Sequence, residues 1–347
     1  MNDFLGQNPK HAPGQTAPSE AGCVEPIASD AIDVLEARII DQVDGEMDAP
    51  SQCPILICVG GLHGNEPGGV HALERVTRKL RAGKDSVKLG GTLLALRGNR
   101  VALAHKKRFL SSDLNRAWDV ESVARVRTQD PCLDSPTDAE VRDLLSHIDN
   151  ALAGGRTVFL LDLHSTSGGG PPFSVVLGGK PSEKLASRIG MPCVHGLSEA
   201  IQGTLTSWFA AHNGPSIVVE GGESRTEKTT RHLEAAVWSS LAVTGLLPDD
   251  HEMVKRARQV LADATDDKPK HVRICHREAI KAMHFRMASP NDRRFKSFDF
   301  VRMNDHLADN KNGPVLATKD GYLVMPLYQN KGSEGFFLAE PCEDPSL

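Results

Sequence analysis

Five short apolar runs punctuate the middle of the chain: ILICV (55–59), TLLAL (92–96), TVFLLDL (157–163), SVVLG (174–178) and SIVVE (216–220). They are mostly continuous rather than alternating in polarity. Strands covered on both faces look like this, because neither set of alternate side chains meets water. Between the runs, apolar residues recur at helical spacing. The clearest case starts at SPTDAE, where Ser135 suits an N-cap, Pro136 the first helical position and Asp138 the first turn. Val141, Leu144, Leu145, Ile148 and Leu152 then form one stripe, which Gly154-Gly155 ends. This alternation predicts an α/β fold with a mixed, largely parallel central sheet flanked by helices.

The pattern changes towards both ends. Residues 1–30 are rich in Pro, Gly, Ala and Ser without apolar periodicity and read as a disordered tail. Residues 31–250 carry the α/β pattern, and a charged helix with the stretch TDDKPK supplies a helix and linker over 251–269. From 270 to 347, HVRICHREAI, GPVLAT and YLVMPLY are short strand-like pieces, and TKDGY offers an Asp-Gly hairpin turn. A small β-rich C-terminal domain is expected there.

Composition narrows the function classes. Of 347 residues, 39% are hydrophobic and 24% charged, ordinary values for a globular protein. A net charge of −5, evenly spread, gives no reason to expect nucleic acid or a membrane as partner. No apolar stretch nears the roughly 18 residues that span a bilayer. The first residues lack the basic start and apolar core of a secretory signal. Seven scattered cysteines with no CxxC pair indicate neither a disulfide framework nor a cysteine zinc site. The expected setting is cytoplasmic and reduced, the expected partner a small-molecule substrate, and a homo-oligomer is left open.

In open α/β sheets, ligands bind beyond the carboxyl ends of the strands. Three motifs stand at such places. His63 and Glu66 follow run 55–59 in GGLHGNEPGG, Asp162 and His164 end run 157–163, and Glu220 ends run 216–219. A hydrolytic zinc site uses three protein ligands of N and O type and leaves a position for water. His63, Glu66 and His164 would supply two imidazoles and a carboxylate, provided the loop turns into a helix near Pro67. The water still needs a base to take its proton, and Glu220 is the candidate. Its rival, Glu223, lies beyond two glycines and should point to solvent. Asp162 precedes His164 by two residues, so both side chains leave a strand on the same side. It could orient a ligand imidazole, or equally be a buried capping carboxylate. The loop 98–118 adds Arg108, Asn115 and Arg116, with Leu114 anchoring DLNR. Arginine pairs with carboxylates and stabilises a developing oxyanion. Histidines 71, 105, 195, 212, 232, 251, 271, 276, 284 and 306 show no ligand spacing and read as structural or surface residues.

HGNE (63–66), RFLSSDLNR (108–116), DLHS (162–165) and VEGG (219–222) together resemble the succinylglutamate desuccinylase/aspartoacylase family, zinc enzymes on a carboxypeptidase-like fold. The order and spacing match over roughly residues 36–248; GYLVMPLY and GSEGFF resemble the family's β-rich domain more loosely. The resemblance implies one Zn2+ per chain on His63, Glu66 and His164, with Glu220 as general base. It further implies Arg108 at the tetrahedral oxyanion, and Asn115 and Arg116 at a substrate carboxylate. It depicts a zinc-dependent deacylase that hydrolyses the amide of an N-acyl amino acid or a related small carboxylate-bearing amide. A zinc carboxypeptidase acting on short peptides, or a catalytically silent small-molecule-binding relative, are the alternatives. Two departures concern substrate. The arginine that aspartoacylases carry about ten residues before the catalytic glutamate has no counterpart near Ala210, and the expected C-terminal tyrosine is replaced by Phe336-Phe337, with Tyr328 close by.

Overall fold

The computed structural model describes residues 35–45, 53–82, 88–212, 214–280, 284–329 and 332–345, and the tail read at 1–30 lies outside them. From Glu36 onward the chain is a single compact unit. Its strands are β1 (Ile39–Asp44), β2 (Ile55–Gly60), β3 (Thr92–Arg97), β4 (Val158–Thr166), β5 (Phe173–Val175), β6 (Cys193–His195) and β7 (Ser216–Glu223). Then follow β8 (His271–Ala279), β9 (Arg286–Met287), β10 (Phe300–Val301), β11 (His306–Asn310), β12 (Gly313–Leu316), β13 (Gly321–Val324) and β14 (Glu334–Pro341). The helices are α1 (Gly68–Ala82), α2 (Arg100–Ala104), α3 (Val120–Thr128), α4 (Pro136–Leu152), α5 (Lys180–Ile189), α6 (Leu205–His212), α7 (Glu227–Val243) and α8 (Glu252–Thr265).

Eleven strands form one sheet in the order β1-β3-β2-β4-β7-β5-β6-β8-β14-β13-β10, and β12-β11-β9 form a second, small one. β3, β2, β4 and β7 run parallel, while β1 and β5 pair antiparallel at either side of that block. The strand β2 shows why its sequence does not alternate. Leu56 and Cys58 enter the core against α1 and α7, whereas Ile55, Ile57 and Val59 enter the opposite core against α4 and α6. Both faces are dry, so both sets of positions are apolar.

The helix α4 begins as its sequence predicts. The Ser135 hydroxyl accepts the Asp138 amide at 3.1 Å, and the Asp138 carboxylate accepts the Ser135 amide at 3.2 Å, a reciprocal cap. Val141, Leu144, Leu145 and Ile148 are all buried on one side.

The C-terminal strands extend the main sheet, β8 pairing parallel with β6 and antiparallel with β14. The Asp-Gly turn expected at TKDGY does not close a hairpin. The strands on either side of it belong to different sheets, β12 pairing with β11 and β13 with β14 and β10. Asp320 instead accepts the Met303 amide at 2.8 Å, tying the crossover between sheets. The hairpin that does form joins β11 to β12, with Asn310 opposite Gly313.

Candidate active site

The strand β2 ends at Gly60, and Gly61 turns the chain with φ +78°, a conformation that suits glycine. The Glu66 amide then donates to the His63 carbonyl at 3.0 Å. That tight turn puts both side chains on the same side, directly before α1. Gly64 is required for another reason. A Cβ there would lie 2.0 Å from the Ala102 carbonyl carbon, while the Gly64 amide donates to the Arg108 carbonyl at 3.2 Å. The loop carrying His63 is therefore pressed against the loop carrying Arg108.

His63 Nδ1 lies 3.1 Å from one Glu66 oxygen, and His164 Nδ1 lies 3.1 Å from the other. One donor atom from each of the three residues falls within 4.8 Å of the others, and all three side chains are buried. The far ring nitrogens are each backed by a carboxylate. His63 Nε2 is 3.1 Å from Asp113, and His164 Nε2 is 2.8 Å from Asp162. Imidazoles that bind a metal are commonly held in this way, with the second nitrogen donating to an acid that fixes the tautomer. His63 Nδ1 is deeply buried and, close as Glu66 is, makes no aligned hydrogen bond among the described residues. Such an atom carries a desolvation penalty unless something ligates it. On both counts the three residues fit a cation with nitrogen and oxygen ligands.

Burial opposes charge on Glu66, but the two imidazoles outweigh it and hold its carboxyl well below the usual range. Burial likewise opposes charge on His164, but Asp162 and Glu66 raise it well above an ordinary histidine. Asp113 is depressed too, because His63, Arg108 and Arg116 overcome its burial. Glu220 behaves oppositely. Burial pushes its carboxyl up to about 8, with Glu66 and Asp162 adding to the rise and His164 and Arg108 opposing it. A divalent cation next to it would favour the ionised form.

Glu220 stands in register with His164 across β7 and β4, and its Oε2 has no hydrogen-bond partner among the described residues. Glu223 is exposed, 3.9 Å from Arg294. In DLNR, the Asp113 carboxylate caps a short 3-10 turn by accepting the Asn115 amide at 2.9 Å, and Leu114 anchors it in the core. Arg108 reaches Glu66 and Asp113, each at 3.3 Å. The Asn115 side chain is drawn into the scaffold: its oxygen accepts the Leu205 amide at 3.0 Å and its nitrogen lies 3.4 Å from His164 Nε2. Arg116 donates to the Asn115 carbonyl at 2.7 Å, and burial lowers its pKa.

Residues 52–239 match the model of the succinylglutamate desuccinylase/aspartoacylase catalytic domain. The chain belongs to that family. A succinylglutamate desuccinylase of Pseudomonas paraeruginosa is 38% identical over 64 residues, 18% of this chain and 19% of the relative, so the alignment spans about a fifth of that protein. Among solved structures, succinylglutamate desuccinylase from Vibrio cholerae superposes with a TM-score of 0.62 at 15% identity, covering 84% of this chain and 82% of that one. Murine aminoacylase 3 gives 0.57 at 15% identity, covering 84% and 96%. At such identities these likenesses show the fold. No described helix is long and apolar enough to cross a membrane.

In this family member an open cleft lies over the site. Its polar lining includes His63, Glu66, Arg108, Arg116, His164 and Glu220, with Glu334 a further acid. Val175, Leu177, Ile201, Val218, Met325 and Phe337 supply an apolar wall, and all six belong to one hydrophobic cluster. Tyr328 is not among the residues that line the cleft. Its hydroxyl accepts the Phe295 amide at 2.7 Å and donates to the Ala288 carbonyl at 3.3 Å, and Arg294 stacks 4.0 Å above the ring. The loop after DLHS rests on the same C-terminal segment, where Ser167 Oγ accepts the Tyr328 amide at 2.9 Å.

Three features of the structure go beyond the residues expected from sequence. Asp113 is one, although its place two residues before Asn115 in DLNR is a usable signal. The Ser165 amide, which donates to Glu66 Oε2 at 2.9 Å, leaves none. Cys193, His195 and His271 also gather, each offering a donor atom within 4.8 Å of the others, where the histidines show no ligand spacing in sequence.

Proposed function

We propose that this protein is a zinc-dependent amidohydrolase that removes an acyl group from an N-acyl amino acid or a related small carboxylate-bearing amide. The observation that carries the proposal is the convergence of His63, Glu66 and His164, with both imidazoles backed by acids, beside the partnerless Glu220 oxygen. These three residues would hold one Zn2+. When bound, the ion supplies Lewis acidity and a water of lowered pKa. Glu220 takes the proton of the attacking water and delivers it to the departing nitrogen. Arg108 neutralises charge that develops on the carbonyl oxygen. Arg116, with Asn115 bracing the loop, pairs with a substrate carboxylate.

The rest of the cleft favours a substrate with one carboxylate and one apolar group. The arginine expected for a second carboxylate has no counterpart near Ala210, and the wall of Leu177, Ile201, Met325 and Phe337 is apolar. Each methylene buried there is worth about 0.8 kcal/mol, or roughly fourfold in kcat/KM. Met325, Pro326 and Leu327 add the C-terminal part of the lining.

The test is a panel of N-acyl amino acids and dipeptides, assayed for amine release by the zinc-loaded protein and by Glu220→Gln. Apolar monocarboxylates should be cleaved at least about tenfold faster than N-acetylaspartate or N-succinylglutamate, as two buried methylenes suffice for that. Glu220→Gln should keep its zinc and lose about a hundredfold or more in kcat. Turnover of dipeptides alone, or an active Glu220→Gln beside an inactive Glu223→Gln, would overturn the proposal.

A further inference from the structure

The strands β6 and β8 bring sulfur- and nitrogen-bearing side chains together, and the segment after β14 runs alongside them. Cys193 lies directly opposite His271 across β6 and β8, and the Cys342 amide donates to the His271 carbonyl at 3.0 Å on the far side. His195 follows Cys193 by two residues and so shares its face of the sheet. That face is not the one bearing His164 and Glu220. Cys193 packs with Leu163 and Val219, whose neighbours His164 and Glu220 leave the sheet on the other side.

The distances within the cluster suit a tetrahedral ion. His195 Nε2 and His271 Nδ1 are 3.2 Å apart, and two nitrogens each about 2.05 Å from a tetrahedral zinc are separated by about 3.3 Å. The Cys193 sulfur completes a set of three donors within 4.8 Å. The Asp344 carboxylate stands 3.5 Å from His271 Nε2, on the nitrogen that faces away from His195. This again places an acid behind a ligand imidazole. Cys193 and His195 are buried, while His271 is partly exposed and offers an entry path.

We infer that Cys193, His195 and His271 form a second metal site, structural in character and selective for a thiolate- and imidazole-binding ion such as Zn2+, with the fourth position left to water. It would pin β6 to β8, the joint at which the C-terminal strands join the parallel block. The inference does not depend on the proposed hydrolase activity.

Cobalt(II) titration of the purified protein separates this site from the first. His63, Glu66 and His164 offer no sulfur, so a near-ultraviolet thiolate-to-cobalt charge-transfer band can arise only where a cysteine binds. After bound metal is stripped with a chelator, the band should appear, and in a His63→Ala/His164→Ala double variant, which lacks the first site, it should persist and saturate at one equivalent. It should vanish in Cys193→Ser and in His271→Gln, and remain in Cys132→Ser, whose cysteine is exposed elsewhere. Absence of the band with excess cobalt would overturn the inference. So would its survival in Cys193→Ser or its loss in the His63/His164 double variant.

Discussion

Replacing Asp162 by Asn removes one negative charge from a position with no solvent exposure and keeps the shape of the side chain. The carboxylate lies 2.8 Å from His164 Nε2, and its other oxygen, Oδ1, has no hydrogen-bond partner among the described residues. An asparagine can still accept from Nε2 through its carbonyl, so what is lost is the charge that makes the imidazole a stronger ligand. Loss of such a partner weakens metal binding about 10- to 100-fold, which is about 1.4–2.7 kcal/mol. Asp162 should fall in the upper half of that range, because among the described residues its one ion-pair partner is His164 and water does not screen it. Asp113, behind His63, is a useful contrast. It is 18% exposed and divides its oxygens among His63, Arg108 and the Asn115 amide. Asp113→Asn should therefore stay near the lower bound, about tenfold. Zinc affinity measured by competition with a chromophoric chelator, on wild type and both variants, gives the comparison. Unchanged affinity in Asp162→Asn would refute the reasoning, as would a larger loss in Asp113→Asn than in Asp162→Asn.

Arg116→Lys should raise KM more than it lowers kcat, because a lysine cannot reproduce the bidentate fork, while Arg108→Ala should act mainly on kcat; matching kinetic signatures would count against separate roles. Gly64→Ala should lower the melting temperature and weaken zinc binding together, since its Cβ would meet the Ala102 carbonyl carbon at 2.0 Å; the overpacking costs about 1–3 kcal/mol, and a variant with wild-type Tm would refute it. The Asp138 carboxyl is held down to about 2 by Arg125, against its burial and with help from Ser135. A depressed carboxyl stabilises the fold above its unfolded pKa and loses that effect as pH falls from about 4 to about 2, so Asp138→Asn should cost about 1 kcal/mol at pH 7 after allowance for the half-exposed Arg125. Denaturation across pH should show the gap closing in that window; a constant gap would exclude the ion pair as its source.

The parallel half of the fold was legible because its strands are dry on both faces, and continuous apolar runs such as ILICV arise in few other settings. The zinc-ligand candidates His63, Glu66 and His164, and the candidate base Glu220, were legible for a related reason: all sit at the ends of such strands, where the sheet itself supplies the convergence. Asp113 was less visible, since its contact with His63 spans fifty residues and is made by a loop without periodicity. The triad on β6 and β8 was invisible. CVH is only three residues long, and its partner His271 becomes a neighbour only when a parallel pairing of residues 78 apart, such as Cys193 with His271, is known. TKDGY misled because an Asp-Gly pair reports a local turn but not which strands the turn joins. Here the flanking segments found better partners in two different sheets.

β14 lies between β8 and β13 although it is the final strand in chain order. A ribosome delivers this sheet out of spatial sequence. β2, β4 and β7, with the loop bearing His63 and Glu66, emerge first and can pair among themselves. β8 and β13 must each wait with an unpaired edge until the segment bearing Phe337 arrives and inserts between them. Edges of that kind invite pairing with other chains, and closure over such sequence separations is slow. The interval before β14 docks is therefore when the nascent protein is most open to aggregation and most in need of a chaperone. Phe337 is made after the strands bearing His164 and Glu220, so the cleft's apolar wall comes from chain that follows its catalytic end.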